Sequence, residues 1–249
     1  MPTQLLLTRF LNAHFAAQVD ALLALFHVHP TYPEAPFNNA FSMELLVFVF
    51  LLAYFILVRV TLSVEKPQPI QHLAEAMNEF VSEQGEGIIG HDYQMFVGYL
   101  SVLFLFILLC NLVGLIPGLE SPTAEASIPL GLALLTFVYY HYHGVRKNGF
   151  GYLKQFIGPV HVSVWMWLLA PLMLVIEIIS HLARVLSLTV RLFANMFAGD
   201  MVTLAFFSLI PIGIPLIFLG LHVFVSVLQA FVFMALAMSY LSLAVAEEH

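Results

Sequence analysis

The sequence predicts an all-α integral membrane protein of about five transmembrane helices, the last two forming a long, strongly tilted hairpin. Three observations carry this. Of 249 residues, 61% are hydrophobic and only 9% charged, where a soluble domain carries roughly 25% Asp, Glu, Lys and Arg. The apolar residues fall in runs that can cross roughly 30 Å of hydrocarbon, which takes about 20 residues at 1.5 Å each. The last stretch, Val162 to Ala246, is apolar for about 85 residues, with one strong interruption at Pro211-Ile212-Gly213-Ile214-Pro215, a helix-breaking cluster.

The elements follow in order. Residues 1–40 carry no early basic region and no small-residue cleavage site, so they read as an outer-face amphipathic arm rather than a signal peptide. The remainder, 41–249, reads as one helical membrane domain. Span one runs from Phe41 to Leu62 with Glu44 and Arg59 near its ends, and span two from about Gln94 to Ile116, where Pro117 and Gly118 stop it. Between them, Ile70, Leu73, Ala74, Met77, Phe80 and Val81 recur at helical spacing while Glu75, Glu79 and Glu83 take another face. This predicts an amphipathic cytoplasmic helix over about 70–84, docked on a partner protein, resting at the membrane interface, or simply solvated on its acidic side. A shorter span three covers about Pro129 to His143.

The final stretch predicts helices over about 163–209 and 216–245, on the order of 70 Å and 45 Å long. Both exceed the bilayer thickness and must tilt, bend or lie partly in the membrane plane. The pattern alone leaves a second arrangement open, two ordinary spans with a turn at Gly199-Asp200. Orientation follows from basic residues in short loops. Arg59 and Lys66 flank the first loop and Arg146, Lys147 and Lys154 fill the third, while the second holds Glu120 and Glu125 and no base. Loops one and three therefore face the cytoplasm, which puts the N-terminus outside and Glu247-Glu248-His249 inside.

Composition also bounds function. An ordinary soluble enzyme is excluded. Eight Lys and Arg against fifteen Asp and Glu give a net charge of −7, which argues against nucleic acid and anionic membrane surfaces as partners. The single cysteine, Cys110, removes any disulfide framework and any thiolate metal site. No metal and no cofactor is expected.

What remains is a set of ionisable side chains in apolar surroundings: Glu177, His181, Arg184, Arg191, Asp200 and His222, with His161 at the edge. A charge at the bilayer centre costs about 2.5–3.5 kcal/mol on insertion scales, so such residues line water-filled paths or pair with one another. At 100° per residue, Glu177, Ser180, Arg184, Arg191 and Asn195 fall within about 60° and form one polar stripe. Asp200 lies roughly 13 Å beyond Arg191 and about 180° round, and Glu177 roughly 21 Å in the other direction. One carboxylate therefore stands on each side of the arginine, Glu177 in the cytoplasmic half and Asp200 in the outer half. His222 and Gln229, seven apart, share a face of the last helix and can meet Asp200 from a packed neighbour.

Carboxylates and a histidine can pass protons, whereas a guanidinium keeps its own. A permanent cation between two exchanging sites blocks a direct leak and attracts a passing carboxylate. At about 4 Å and an effective dielectric near 20 that attraction is about 4 kcal/mol. Arg184, nearer the cytoplasmic end, can snorkel to that interface.

The string Ser187-Leu188-Thr189-Val190-Arg191-Leu192-Phe193-Ala194-Asn195-Met196, continuing Phe197-Ala198-Gly199-Asp200, resembles the signature of subunit a of the bacterial rotary F-type ATP synthase. So does Leu228-Gln229-Ala230-Phe231-Val232-Phe233-Met234, through Tyr240-Leu241-Ser242 to Glu247-Glu248-His249. The resemblance runs from span one to the C-terminus. It implies a stator subunit, not catalytic by itself, whose two long helices press on a rotating c-ring beside the peripheral stalk of subunit b and the rest of the F1Fo complex. Two offset half-channels would carry protons, in preference to sodium, between the lipid bilayer's two sides. By this resemblance Arg191 is the essential arginine facing the ring. Asp200, His222, Asn195 and Gln229 match the outer path or its support, and Glu177 and Ser180 match the cytoplasmic path. The resemblance favours the long hairpin over two ordinary spans.

Two departures stand out against that family. Bacterial relatives often carry Glu where this chain has Asp200, and some carry acids near the end of span two, where this chain has Gly114 and Gly118. The outer entrance then leans on His222 and water, or another residue substitutes. A stand-alone channel or secondary transporter is the competing reading, but it usually brings inverted repeats, and the sequence shows none. An intramembrane enzyme ranks last, since there is no H-E-x-x-H. The expected location is the bacterial cytoplasmic membrane, with an organelle-encoded inner-membrane copy as the alternative.

Overall fold

A computed structural model describes residues 4–25, 35–63, 65–116, 118–149, 151–152, 164–209 and 213–246, with backbone alone for 164–170 and 214. The predicted positions Pro117, Lys154, His161, Pro211 and Glu247 to His249 lie outside the described residues. Seven long helices make up the described chain: α1 (Leu6–Leu25), α2 (Asn39–Thr61), α3 (Pro69–Ile89), α4 (Gln94–Val113), α5 (Ser127–Asn148), α6 (Val164–Leu209) and α7 (Ile214–Val245). One 3-10 turn, Pro122–Ala124, links α4 to α5.

Local chemistry sets several of these ends. Asn38 caps α2, its Oδ1 accepting the Phe41 N–H at 2.8 Å. Pro69 opens α3, where its missing N–H costs nothing. α6 runs 46 residues without a break at Gly199-Asp200, so the alternative with a turn there is overturned. Its interior N–H and C=O groups satisfy one another, and nothing at Gly199 compels the helix to stop. With α7 at 32 residues, the pair is on the order of 70 Å and 50 Å long.

Among the described residues four helices, α2, α4, α6 and α7, are long and apolar enough to cross a membrane. The count differs from five because of α5. It has 22 residues, but its second half carries Tyr139, Tyr140, His141, Tyr142 and His143 before Arg146 and Lys147, and this polar content dilutes the apolar run.

The core is shared by α4, α5, α6 and α7, with Val81 of α3 at its edge. Phe96, Leu100 and Ile107 of α4 meet Leu192 and Met196 of α6 and Phe233, Met234, Met238 and Leu241 of α7. Ala230, Ala237 and Ala244 repeat every seven residues along α7 and are all buried, so backbones approach closely there. α2 packs on α4 through Val47, Leu51 and Cys110, and α1 touches α2.

The turn between α4 and α5 folds back into this core. Thr123 donates its hydroxyl to Asn111 Oδ1 at 2.6 Å, Asn111 Nδ2 donates to the Ser226 carbonyl at 3.3 Å, and Ser121 Oγ donates to the Cys110 carbonyl at 3.1 Å. These buried polar groups satisfy one another, which fixes the turn between α4 and α7 and brings Glu120 alongside α6.

Candidate functional site

The charged residues of α6 form two groups with Arg191 between them. At the first, Glu177 Oε1 lies 3.3 Å from His181 Nε2 and 4.0 Å from an Arg184 guanidinium nitrogen. His181 is one turn on from Glu177, so the same face carries both. Its Nδ1 shares a 2.8 Å hydrogen bond with the buried Tyr140 hydroxyl of α5. The Arg184 guanidinium lies over the Tyr240 ring of α7, 5.2 Å from its centre, within cation–π range. It therefore turns inward onto α7 instead of snorkelling to the cytoplasmic interface. These side chains and Tyr152 line a cavity of about 210 Å³. Burial pushes the Tyr152 hydroxyl above the ordinary phenol value. Ser180 is half-buried on the same helix but is not in the wall of this cavity.

Arg191 is exposed on α6, and the one contact described for its guanidinium is the Ser187 hydroxyl at 3.4 Å. Among the described residues no carboxylate comes within 4.0 Å of it. One turn on, Asn195 Nδ2 donates to Gln229 Oε1 of α7 at 2.9 Å, and Gln229 is buried. This bond ties the two long helices together beside the arginine.

At the second group, Asp200 Oδ1 lies 3.7 Å from His222 Nδ1. His222 is only 5% exposed, and its Nε2 has no hydrogen-bond partner among the described residues. The ring fits because residue 199 is glycine: a Cβ there would stand 2.8 Å from His222 Nδ1. Asn195 and His222 both line a cavity of about 290 Å³ between α6 and α7. A larger one, about 790 Å³, has Asp200, His222 and Glu120 in its wall. Near the end of α4, a Cβ on Gly114 would stand 2.7 Å from Ser121 Cβ and 3.0 Å from its backbone nitrogen, so that position is crowded by the turn.

The site is thus a long helix pair with an exposed arginine between Glu177 and Asp200 on α6. A family model described as ATP synthase A chain matches residues 41–242. The chain belongs to the ATP synthase A chain family. It is 54% identical over 250 residues to an ATP synthase subunit a of Koribacter versatilis, covering 100% of both chains. It is 45% identical to that of Solibacter usitatus, covering 96% of this chain and 99% of the relative. The match to the Trichlorobacter lovleyi protein of the same name is 40% over 74% of this chain and 77% of the relative. Membership makes the chain a non-catalytic subunit of the membrane sector of ATP synthase, the sector that translocates protons.

Of the residues the sequence singled out, the structure brings together Glu177 with His181 and Arg184, Asn195 with Gln229, and Asp200 with His222. It does not bring Ser180 to Glu177. Sequence reasoning passed over Tyr140, Tyr152 and Glu120. Tyr140 reaches Glu177 only through His181 and across a helix interface, and Glu120 reaches Asp200 only because the turn folds back. The lone signal for Tyr140 was the Tyr139 to His143 run, more polar than a lipid-facing helix needs.

Proposed function

We propose that this chain is the subunit a of an F-type ATP synthase and carries protons through two offset half-channels that end on either side of Arg191, which faces the c-ring. Glu177 serves the cytoplasmic half-channel, with Ser180 beside it on the stripe. Asp200 and His222 serve the outer one, and the Asn195–Gln229 bond holds α6 and α7 in register between them. The observation that carries this reading is the isolation of Arg191, exposed and without a carboxylate within 4.0 Å among the described residues. A cation left in that state on an apolar helix needs a counter-charge from outside the chain.

The mechanism follows from charge. A proton entering the outer half-channel passes by Asp200 and His222 to a ring carboxylate, which becomes neutral and rotates into the lipid. A protonated ring carboxyl arriving from the other side loses its proton towards Glu177 and, now an ionised carboxylate, pairs with Arg191. The guanidinium stays charged throughout, so protons cannot pass directly between the two half-channels and must ride the ring.

In this reading the N-terminal arm, 1–40, lies outside and residues 41–249 form the membrane domain, with α5 crossing as the third span and the C-terminus in the cytoplasm. The protein sits in the bacterial cytoplasmic membrane beside the peripheral stalk of subunit b, and protons rather than sodium couple it. Side-specific labelling tests the arrangement. Cysteine at 177 should react with a membrane-impermeant thiol reagent from the cytoplasmic side and cysteine at 200 from the outer side; reaction of both from one side would overturn it.

A further inference from the structure

The end of the arm and the start of α2 hold two adjacent amides that clasp two acids. Asn38 Nδ2 donates to both carboxylate oxygens of Glu125, at 2.9 and 2.8 Å, while its Oδ1 caps α2. Glu125 Oε1 also accepts from Ser127 Oγ at 3.3 Å. Asn39 Nδ2 donates to Glu120 Oε1 at 3.0 Å, and Asn39 Oδ1 accepts the Leu5 N–H at 3.1 Å. The arm is fastened a second time, the Asn12 side chain pairing with the Phe37 backbone at 3.1 and 3.0 Å.

The two acids end up in different states. Both oxygens of Glu125 are held. Glu120 is exposed and among the described residues only its Oε1 is held, and it lines the cavity of about 790 Å³ whose wall also includes Asp200 and His222. It is near enough to interact electrostatically with Asp200. In that same wall His222 is 95% buried, and its Nε2 is without a hydrogen-bond partner among the described residues. The titratable groups facing this space are Glu120, Glu125, Asp200 and His222.

We propose that Glu120 is the proton-exchanging carboxylate at the mouth of the outer path, and that the N-terminal arm holds it there through Asn39. This rests on the outer-path reading given above. An ionised Glu120 takes a proton from outside water on its unheld oxygen and releases it through water in the cavity towards Asp200 and His222, returning to the carboxylate. The turn supplies an acid where Gly114, crowded by that same turn, carries none. Glu125 is a clamp for α2 and takes no part in exchange.

The test is passive proton conduction by the assembled membrane sector in vesicles, at matched subunit content. Glu120→Gln should lower conduction about a hundredfold, the low end for loss of a proton-transfer group, while Glu125→Gln stays within about twofold of the parent. Charge is separated from shape with Glu120→Cys, the native Cys110 being buried. Modification with a methanethiosulfonate bearing a carboxylate should restore conduction, and one bearing an uncharged amide of equal length should not. Asn39→Leu should lower conduction in the same direction. Parent-level conduction in Glu120→Gln, or equal rescue by both reagents, would overturn the proposal. Asp200→Asn measured alongside separates the two claims. If Asp200→Asn fails while Glu120→Gln conducts normally, the mouth assignment alone is wrong; if both conduct normally, the outer path itself is wrong.

Discussion

Gly199→Ala is a one-carbon change aimed at the Asp200–His222 contact. The added Cβ would lie 2.8 Å from His222 Nδ1 and 3.1 Å from Cε1, where ordinary contact begins at 3.4 Å. The ring must withdraw by about 0.6 Å, and at 5% exposure it has little room to do so. Nδ1 is also the atom facing Asp200 Oδ1 at 3.7 Å, so the clash falls on the contact that matters. Overfilling a packed site costs about 1–3 kcal/mol, and at tenfold per 1.36 kcal/mol this corresponds to conduction roughly fivefold to a hundredfold lower. Alanine is the better helix former by about 1 kcal/mol, which offsets part of that cost, and conduction is compared at matched assembly. The assay is passive proton conduction in vesicles, in the parent and in a His222→Ala background. With the imidazole gone the methyl group has space, and Gly199→Ala should add less than a twofold loss. Parent-level conduction in the single variant, or an undiminished loss in the double variant, would refute the reasoning.

Three further outcomes follow from the same geometry. Asn195→Leu strands the buried Gln229 amide and should cost about 1–3 kcal/mol, much of it recovered in Asn195→Leu/Gln229→Leu; heat release of the subunit from the detergent-solubilised complex reads this, and additive losses would contradict the pairing. Tyr140→Phe removes the 2.8 Å partner of His181 and, at about 1 kcal/mol, should lower ATP-driven pumping roughly fivefold with ATP hydrolysis intact; unchanged pumping would remove Tyr140 from the path. Asn38→Ala deletes the α2 cap and should cost about 1 kcal/mol, seen as roughly fivefold faster hydrogen exchange at residues 41–43, and unaltered exchange would deny the cap its role.

The long hairpin was legible because its causes are local. Eighty-odd apolar residues with one Pro-Ile-Gly-Ile-Pro interruption leave few other ways to satisfy the backbone. The Asp200–His222 contact was legible from helical angles once α6 and α7 were placed side by side, whereas the Asn195–Gln229 bond was not, since the angles set Asn195 on the Arg191 stripe and Gln229 towards Asp200. Angles failed where a second interface entered. Ser180 shares the stripe with Glu177, yet the cavity beside Glu177 is closed by Tyr140 of α5 and Tyr240 of α7, whose positions depend on packing no single helix encodes. Glu120 was hidden for a similar reason: its place is set by Thr123, Asn111 and Ser226 meeting across three elements. Span three was harder still, since the tyrosines and histidines that build the site in α5 are what make it read poorly as a membrane helix.

The central claim is that Arg191 separates the two half-channels while facing the ring. ATP-driven proton pumping in vesicles holding the assembled complex, compared between the parent and Arg191→Ala at matched assembly, tests it most directly. The account predicts that pumping is lost in the variant; pumping retained with normal coupling would make Arg191 a structural charge and contradict the account.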